Sequence, residues 1–193
     1  LCGCFRQAGV PVDNAQDITD DSDSVTEEAI PPAIDYGAVI GKTEYDLITH
    51  DPKTQKYIFS AAQTNLGNLC ADAYRSAALS DAAIVCAGEI GDSISCGDIT
   101  VADVFATLPV GCNLITVHAT GEEILCCLEA AYQYLPRGNS EFLHVSGVSA
   151  VLDMNQNPTV MTDDMGNFAG LSGDGRVRDV LIGGAPLQED ATY

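Results

Sequence analysis

The stretch 80–117 constrains the fold more than any other part of the chain. It opens with an apolar run, Asp81 to Cys86, which is typical of a short buried strand. The run ends in a turn that carries two glycines, Gly88 and Gly91. Glycines after a strand allow the backbone to approach a ligand closely. The pattern therefore predicts a strand followed by a candidate binding turn, although most turns of this kind only reverse the chain.

The second half of this stretch predicts a short helix and a further strand. Thr100 is placed to cap a helix that begins at Val101, and Asp103 follows three residues later as a capping box requires. Leu108-Pro109-Val110-Gly111 then interrupts the helix. The apolar run 113–119 is predicted to be the next strand.

Helical patterns flank this central stretch. Residues 65–79 place apolar side chains three and four positions apart, which predicts a helix with one buried face. Thr120 and Glu123 form a second capping box ahead of an apolar stripe. Helices and strands alternate in the first half, and strands cluster towards the end. We therefore predict an α+β fold, in which a mixed sheet with antiparallel pairs is packed by two or three helices.

Charge excludes several classes of partner. The chain carries 28 acidic and 8 basic residues, for a formal net charge of −20. Such a surface repels the phosphates of nucleic acid polymers and of anionic lipid. The sequence has no apolar run of about 18 residues, so it predicts no transmembrane segment.

The first 33 residues differ in composition from the rest. They are acidic and lack apolar periodicity, so residues 1–33 are predicted to be a disordered linker or tail, and 34–193 the folded domain. The start, Leu1-Cys2-Gly3-Cys4, resembles a bacterial lipobox, which would attach a lipid to Cys4. The alternative is a trimmed fragment whose first residues carry no such signal.

The eight cysteines include no Cys-x-x-Cys pair, so a zinc site is not expected. Most lie in apolar runs and are predicted to pack as small core residues. The sequence does not decide whether two of Cys86, Cys96 and Cys112 form a disulfide, or whether the thiols have a redox role.

Several short phrases, in order along the chain, carry a family resemblance. They are Val39–Glu44, Gln63–Leu69, Cys86–Asp92, Gly97–Thr100, Leu108–Cys112 and Gly183–Leu187. Together they resemble the C-terminal, substrate-recognition domain of the 5'-nucleotidase/UDP-sugar hydrolase family over about residues 36–193. The resemblance implies the fold of that domain.

The resemblance also implies where a nucleotide or nucleoside would bind. The corresponding positions are Ser60, Cys86, Gly88, Gly91 and Val110. In the family, Ser60 and Gly91 would be arginines, Cys86 an asparagine and Val110 a stacking phenylalanine. Because these four groups are missing, we expect nucleotide binding to be weak or lost.

The resemblance implies that catalysis takes place in a separate N-terminal metallophosphoesterase domain in cis, which holds two divalent metals. This chain has three histidines and neither of that domain's motifs, so we expect no metal site or cofactor in it and no activity of the chain alone. In the family, the phrase 190–193 opens a further strand. The domain is therefore expected to be truncated at its C-terminus, with an open sheet edge.

Two functions follow from these observations. The first is recognition of the nucleoside end of a nucleotide for a 5'-nucleotidase-like phosphoester hydrolase, with degenerate binding residues. The alternative is a non-catalytic cell-surface or secreted module that retains the fold. Both favour an extracellular, periplasmic or cell-surface location.

Overall fold

The computed structural model describes residues 33–109 and 113–193. The predicted tail, the lipobox at Cys4, and positions Val110 and Cys112 of the central stretch lie outside these residues. The fold is α+β, as predicted, with three helices and nine short strands in the part described. In chain order they are β1 Val39–Thr43, α1 Asn65–Ala78, β2 Ala83–Cys86, β3 Gly97–Thr100, α2 Val101–Thr107, α3 Gly121–Tyr132, β4 Leu143–Ser146, β5 Val148–Leu152, β6 Val160–Thr162, β7 Phe168–Leu171, β8 Val177–Ile182 and β9 Ala185–Pro186.

The core is built on the antiparallel pair of β2 and β4. Val85 of β2 lies opposite His144 of β4, and both side chains are buried. Phe59 and Leu66, which are fully buried, belong to the same buried cluster as Val85. Burying apolar side chains of this size is the main stabilising contribution to such a domain.

Side-chain caps fix where the helices begin. The Thr64 hydroxyl accepts a hydrogen bond from the Gly67 backbone N–H at the start of α1. Both predicted capping boxes are present, Thr100 with Asp103 in α2 and Thr120 with Glu123 in α3. Each satisfies backbone N–H groups that the first turn of a helix leaves unpaired.

Antiparallel pairs account for the other strands, as the sequence predicts. β1 pairs with β3, β6 with β7, and β8 lies between β5 and β9. Gly183 and Gly184 have φ angles of 58° and 84° and form the two-residue turn between β8 and β9. Gly147, at φ 72°, separates β4 from β5.

One predicted strand is wrong. Residues 113–118 form no strand, and only Ala119 at the end of this segment exchanges backbone hydrogen bonds with another described residue, Tyr193. A strand is stabilised by its neighbours, and here the described residues supply a neighbour at one position alone. Ile115 is accordingly 76% exposed despite its apolar character.

No helix in the described part of the chain is long and apolar enough to span a membrane.

Candidate functional site

The glycine turn after β2 is held against the loop that leads into β4. Ala87–Glu89 form a short 3₁₀ turn. The Ala87 N–H donates to the Phe142 carbonyl at 2.8 Å, and the Gly88 N–H donates to the Ser140 carbonyl at 2.9 Å. This turn is therefore held against the loop by two backbone hydrogen bonds.

Ser60 reaches the same loop from the other side. Its carbonyl accepts a hydrogen bond of 3.1 Å from the Asn139 N–H. A Cβ on Gly138 would lie 2.2 Å from the Ser60 Oγ, so a side chain there would force the serine hydroxyl to move. Cys86, at the end of β2, pairs with Leu143. The segment 138–143 thus brings together Ser60, Cys86 and Gly88, three of the five positions named from the sequence.

Gly91 lies on the other side of the turn, against the end of α2. Its N–H donates to the Thr107 carbonyl at 2.7 Å. A Cβ built on Gly91 would stand 2.5 Å from the Ala106 carbonyl oxygen and 3.4 Å from the Pro109 ring. The loops after β2 and α2 are therefore adjacent, and the backbone leaves no room for a side chain at position 91.

Charge around the turn is mainly acidic. Asp92 is exposed, and Glu89 and Glu141 are half-buried on the turn and on the loop that faces it. The basic residue on these segments is Arg137, which is exposed and precedes the Gly138 that packs on Ser60. Carboxylates so placed disfavour a bound phosphate more than an uncharged nucleoside.

The described residues contain no group of three or more His, Cys, Asp or Glu side chains arranged to hold a metal ion. The fully buried His144 is a structural residue. Its Nε2 lies 2.9 Å from the Phe59 carbonyl oxygen, and burial lowers its pKa to about 4. His50 and His118 are exposed.

Sequence reasoning missed a second concave feature, an open apolar groove between β2 and residues 113–119. Its lining includes Ile84, Ile115, Ile124 and Cys127, and burial raises the pKa of the Cys127 thiol. The apolar pattern of 113–119 was visible, but it indicated a paired strand and not one wall of a groove.

Comparisons with known proteins agree on the family. A family model described as "5'-nucleotidase, C-terminal domain" matches residues 39–193. A 5'-nucleotidase of Vibrio cholerae is 34% identical over 137 residues, which cover 68% of this chain and 20% of that protein. Protein UshA of Escherichia coli is 29% identical over 133 residues, again 68% of this chain and 20% of the relative. The chain therefore spans about a fifth of the length of these relatives.

Solved structures give the same result. The crystal structure of a 5'-nucleotidase precursor from Thermus thermophilus superposes with a TM-score of 0.64 at 29% identity, over 80% of this chain and 28% of that one. A sulfate thiohydrolase, SoxB, from the same genus matches at a TM-score of 0.54 and 18% identity, which shows likeness of fold alone. The chain belongs to the family of 5'-nucleotidase C-terminal domains.

Proposed function

We propose that this chain is the nucleotide- or nucleoside-recognition domain of a 5'-nucleotidase-like phosphoester hydrolase, and that its own affinity for the ligand is weak. Hydrolysis would belong to a metallophosphoesterase domain in cis that carries two divalent metals. An extracellular, periplasmic or cell-surface location is part of the proposal. The family match over residues 39–193 is the observation that carries it.

The placement of the candidate residues supports a shared site. Ser60, Cys86 and Gly88 all contact the segment 138–143. Gly91 packs against Pro109, the residue before Val110. Four of the five positions, Ser60, Cys86, Gly88 and Gly91, therefore lie on or beside the loop after β2, where one small ligand could contact them together.

The same geometry supports weakened binding. An arginine at position 91 would require the Ala106 carbonyl to move, because a Cβ there would approach it to 2.5 Å. Within the two neighbouring loops, Glu89 and Asp92 add negative charge, and Arg137 is the basic residue that borders them. We therefore propose that any surviving interaction is with the uncharged nucleoside end of the ligand and not with its phosphate.

Ligand-dependent thermal unfolding of the 193-residue chain tests this proposal. We expect adenosine, AMP and a UDP-sugar to raise Tm only at millimolar concentration, with adenosine no weaker than AMP. The variant Cys86→Asn/Val110→Phe restores two of the family's groups and should respond at lower adenosine concentration. The matched control Cys86→Ala/Val110→Leu should not. Saturable binding of AMP by the natural chain at micromolar concentration would overturn the weak-binding part.

The alternative is a non-catalytic binding module that retains the fold. It is favoured by the absence of the family's arginines, asparagine and phenylalanine at Ser60, Gly91, Cys86 and Val110. If neither the natural chain nor the restored variant responds to any nucleoside, the recognition function is excluded and this alternative stands.

A further inference from the structure

An aromatic ring pair stands on the loop that leads to Ser60. His50 and Tyr57 form an isolated antiparallel bridge, and their rings meet edge to face with centroids 5.0 Å apart. Tyr57 is 42% exposed, and His50 is exposed as well, so the pair is open to solvent. An aromatic ring held at the surface in this way can stack on a flat heterocycle.

Neighbouring side chains hold the two rings in place. The His50 Nδ1 lies 2.9 Å from the Oγ1 of Thr49, which is itself buried. The Tyr57 ring lies beside the ring of the fully buried Phe59, with centroids 6.4 Å apart. Because these contacts already restrict the rings, they would lose less side-chain entropy on binding a ligand than mobile surface rings would.

One end of this loop is hydrogen-bonded to the chain just beyond the glycine turn. The Thr49 N–H donates to the Ser93 Oγ at 2.9 Å, and the Thr49 Oγ1 lies 2.9 Å from the same Ser93 oxygen. Ser93 is two residues after Gly91, which is one of the positions named from the sequence. The ring pair therefore begins one residue from the contact between these two loops.

The other end of the loop is Ser60 itself. Its carbonyl accepts the hydrogen bond from Asn139 that joins it to the loop facing the glycine turn. Tyr57 precedes Ser60 by three residues, which limits the separation of their Cα atoms to about 11 Å. A ligand of the size of a nucleoside can therefore contact Ser60 and the Tyr57 ring together.

We propose that the exposed ring of Tyr57 is the surface on which the base of a purine nucleoside stacks, in place of the phenylalanine that is missing at Val110. The inference rests on the proposed recognition function, and it names the part of the ligand that is recognised. Stacking uses the uncharged face of the base, so the carboxylates of Glu89 and Asp92 do not oppose it as they would oppose a phosphate. Because a purine offers a larger face than a pyrimidine, adenosine should bind more tightly than uridine, and ribose should not bind detectably.

Tryptophan fluorescence tests the contact directly, because the chain contains no tryptophan. Tyr57→Trp places an indole at the stacking position. Phe168→Trp is the matched control, at a residue that is 41% exposed on the separate β6–β7 hairpin. Adenosine should quench Tyr57→Trp saturably without shortening the fluorescence lifetime, as a stacked complex requires, and should quench the control only by collision. Equal quenching of the two variants would overturn the proposal.

Affinity for adenosine, measured by NMR titration of the 193-residue chain, isolates the contribution of the ring. Tyr57→Ala should bind adenosine about tenfold more weakly, whereas Tyr57→Phe retains a stacking face and should bind as the natural chain does. Phe168→Ala removes an aromatic ring of similar exposure elsewhere and should leave the affinity unchanged. Thermal unfolding without ligand shows that each variant is folded. Loss of affinity in Tyr57→Phe as great as in Tyr57→Ala would contradict stacking.

These experiments also separate the inference from the function on which it rests. If adenosine raises the Tm of the natural chain and of Tyr57→Ala alike, nucleoside recognition stands and the role of Tyr57 is overturned. If neither the natural chain nor Cys86→Asn/Val110→Phe responds to adenosine by Tm, NMR or fluorescence, both the function and the inference are overturned.

Discussion

His144 lies against Phe59 with ring centroids 3.9 Å apart, and its Nε2 is 2.9 Å from the Phe59 carbonyl oxygen. The Nδ1 atom on the other side of the ring is buried, and none of the described residues provides it with a hydrogen-bond partner. The histidine is fully buried between apolar residues, so its neutral form is the one the fold accommodates.

Stability should therefore fall in mild acid. Burial lowers the pKa of His144 to about 4, from an ordinary value of 6.5. Below pH 6.5, His144 takes up a proton in the unfolded chain but stays neutral in the folded chain. The free energy of unfolding should decrease from pH 6.5 down to about 4, by up to about 3 kcal/mol in total.

Urea unfolding at pH 7, 6 and 5 measures this decrease before most carboxylates titrate. The exposed His50 provides the control, because His50→Gln should keep the pH dependence and His144→Gln should remove most of it. An unfolding free energy that is constant from pH 7 to 5 would contradict the assignment.

Gly67→Ala should destabilise the domain by about 2–4 kcal/mol. A Cβ at Gly67 would lie 2.1 Å from the His144 Nδ1, and the histidine is fully buried in contact with the rings of Phe59 and Phe142, so it cannot move aside cheaply. The gain in helix propensity, at most about 1 kcal/mol, does not offset this. Gly41→Ala is the matched control, because its Cβ would meet nothing closer than 3.9 Å. Equal unfolding midpoints for the two variants would show that His144 can move away from the new Cβ at little energetic cost.

Glu129→Ala should cost about 2–3 kcal/mol. Glu129 is 2% exposed, and its carboxylate accepts a 2.7 Å hydrogen bond from the Val177 N–H, which joins α3 to β8. Removing the acceptor leaves that buried N–H without a partner. Glu129→Gln retains an acceptor oxygen and should cost less, and Glu122→Ala, at an exposed position of the same helix, should cost under about 1 kcal/mol. The order of the three variants in chemical unfolding is the test.

The thiols of Cys70 and Cys96 should differ sharply in their rates of alkylation. Burial raises the pKa of Cys70 to about 11, whereas Cys96 is exposed. Iodoacetamide labelling of the folded chain at pH 7.5, followed by peptide mapping, should modify Cys96 well before Cys70. In urea the two rates should converge. Rapid labelling of Cys70 in the folded state would be inconsistent with its place in the core.

Local signals accounted for much of the fold. The capping boxes at Thr100 and Thr120 depend on residues within a few positions of each other, so the sequence predicts them directly. The family phrases identified the domain, which the match over residues 39–193 confirmed. The positions Ser60 and Gly88 followed from the same resemblance, and their role in binding stays a prediction.

Three features depended on tertiary contacts that no local pattern reports. The stretch 113–119 has the composition of a strand, but a strand forms only where another edge of the fold lies beside it. The lack of space at Gly91 arises from the Ala106 carbonyl, which the packing of α2 brings to it. Glu129 is buried with a hydrogen bond from the Val177 N–H of β8, which lies 48 residues further along the chain. The sequence by itself thus determined the elements and the family, and long-range packing decided which backbone groups and side chains were left to face a ligand.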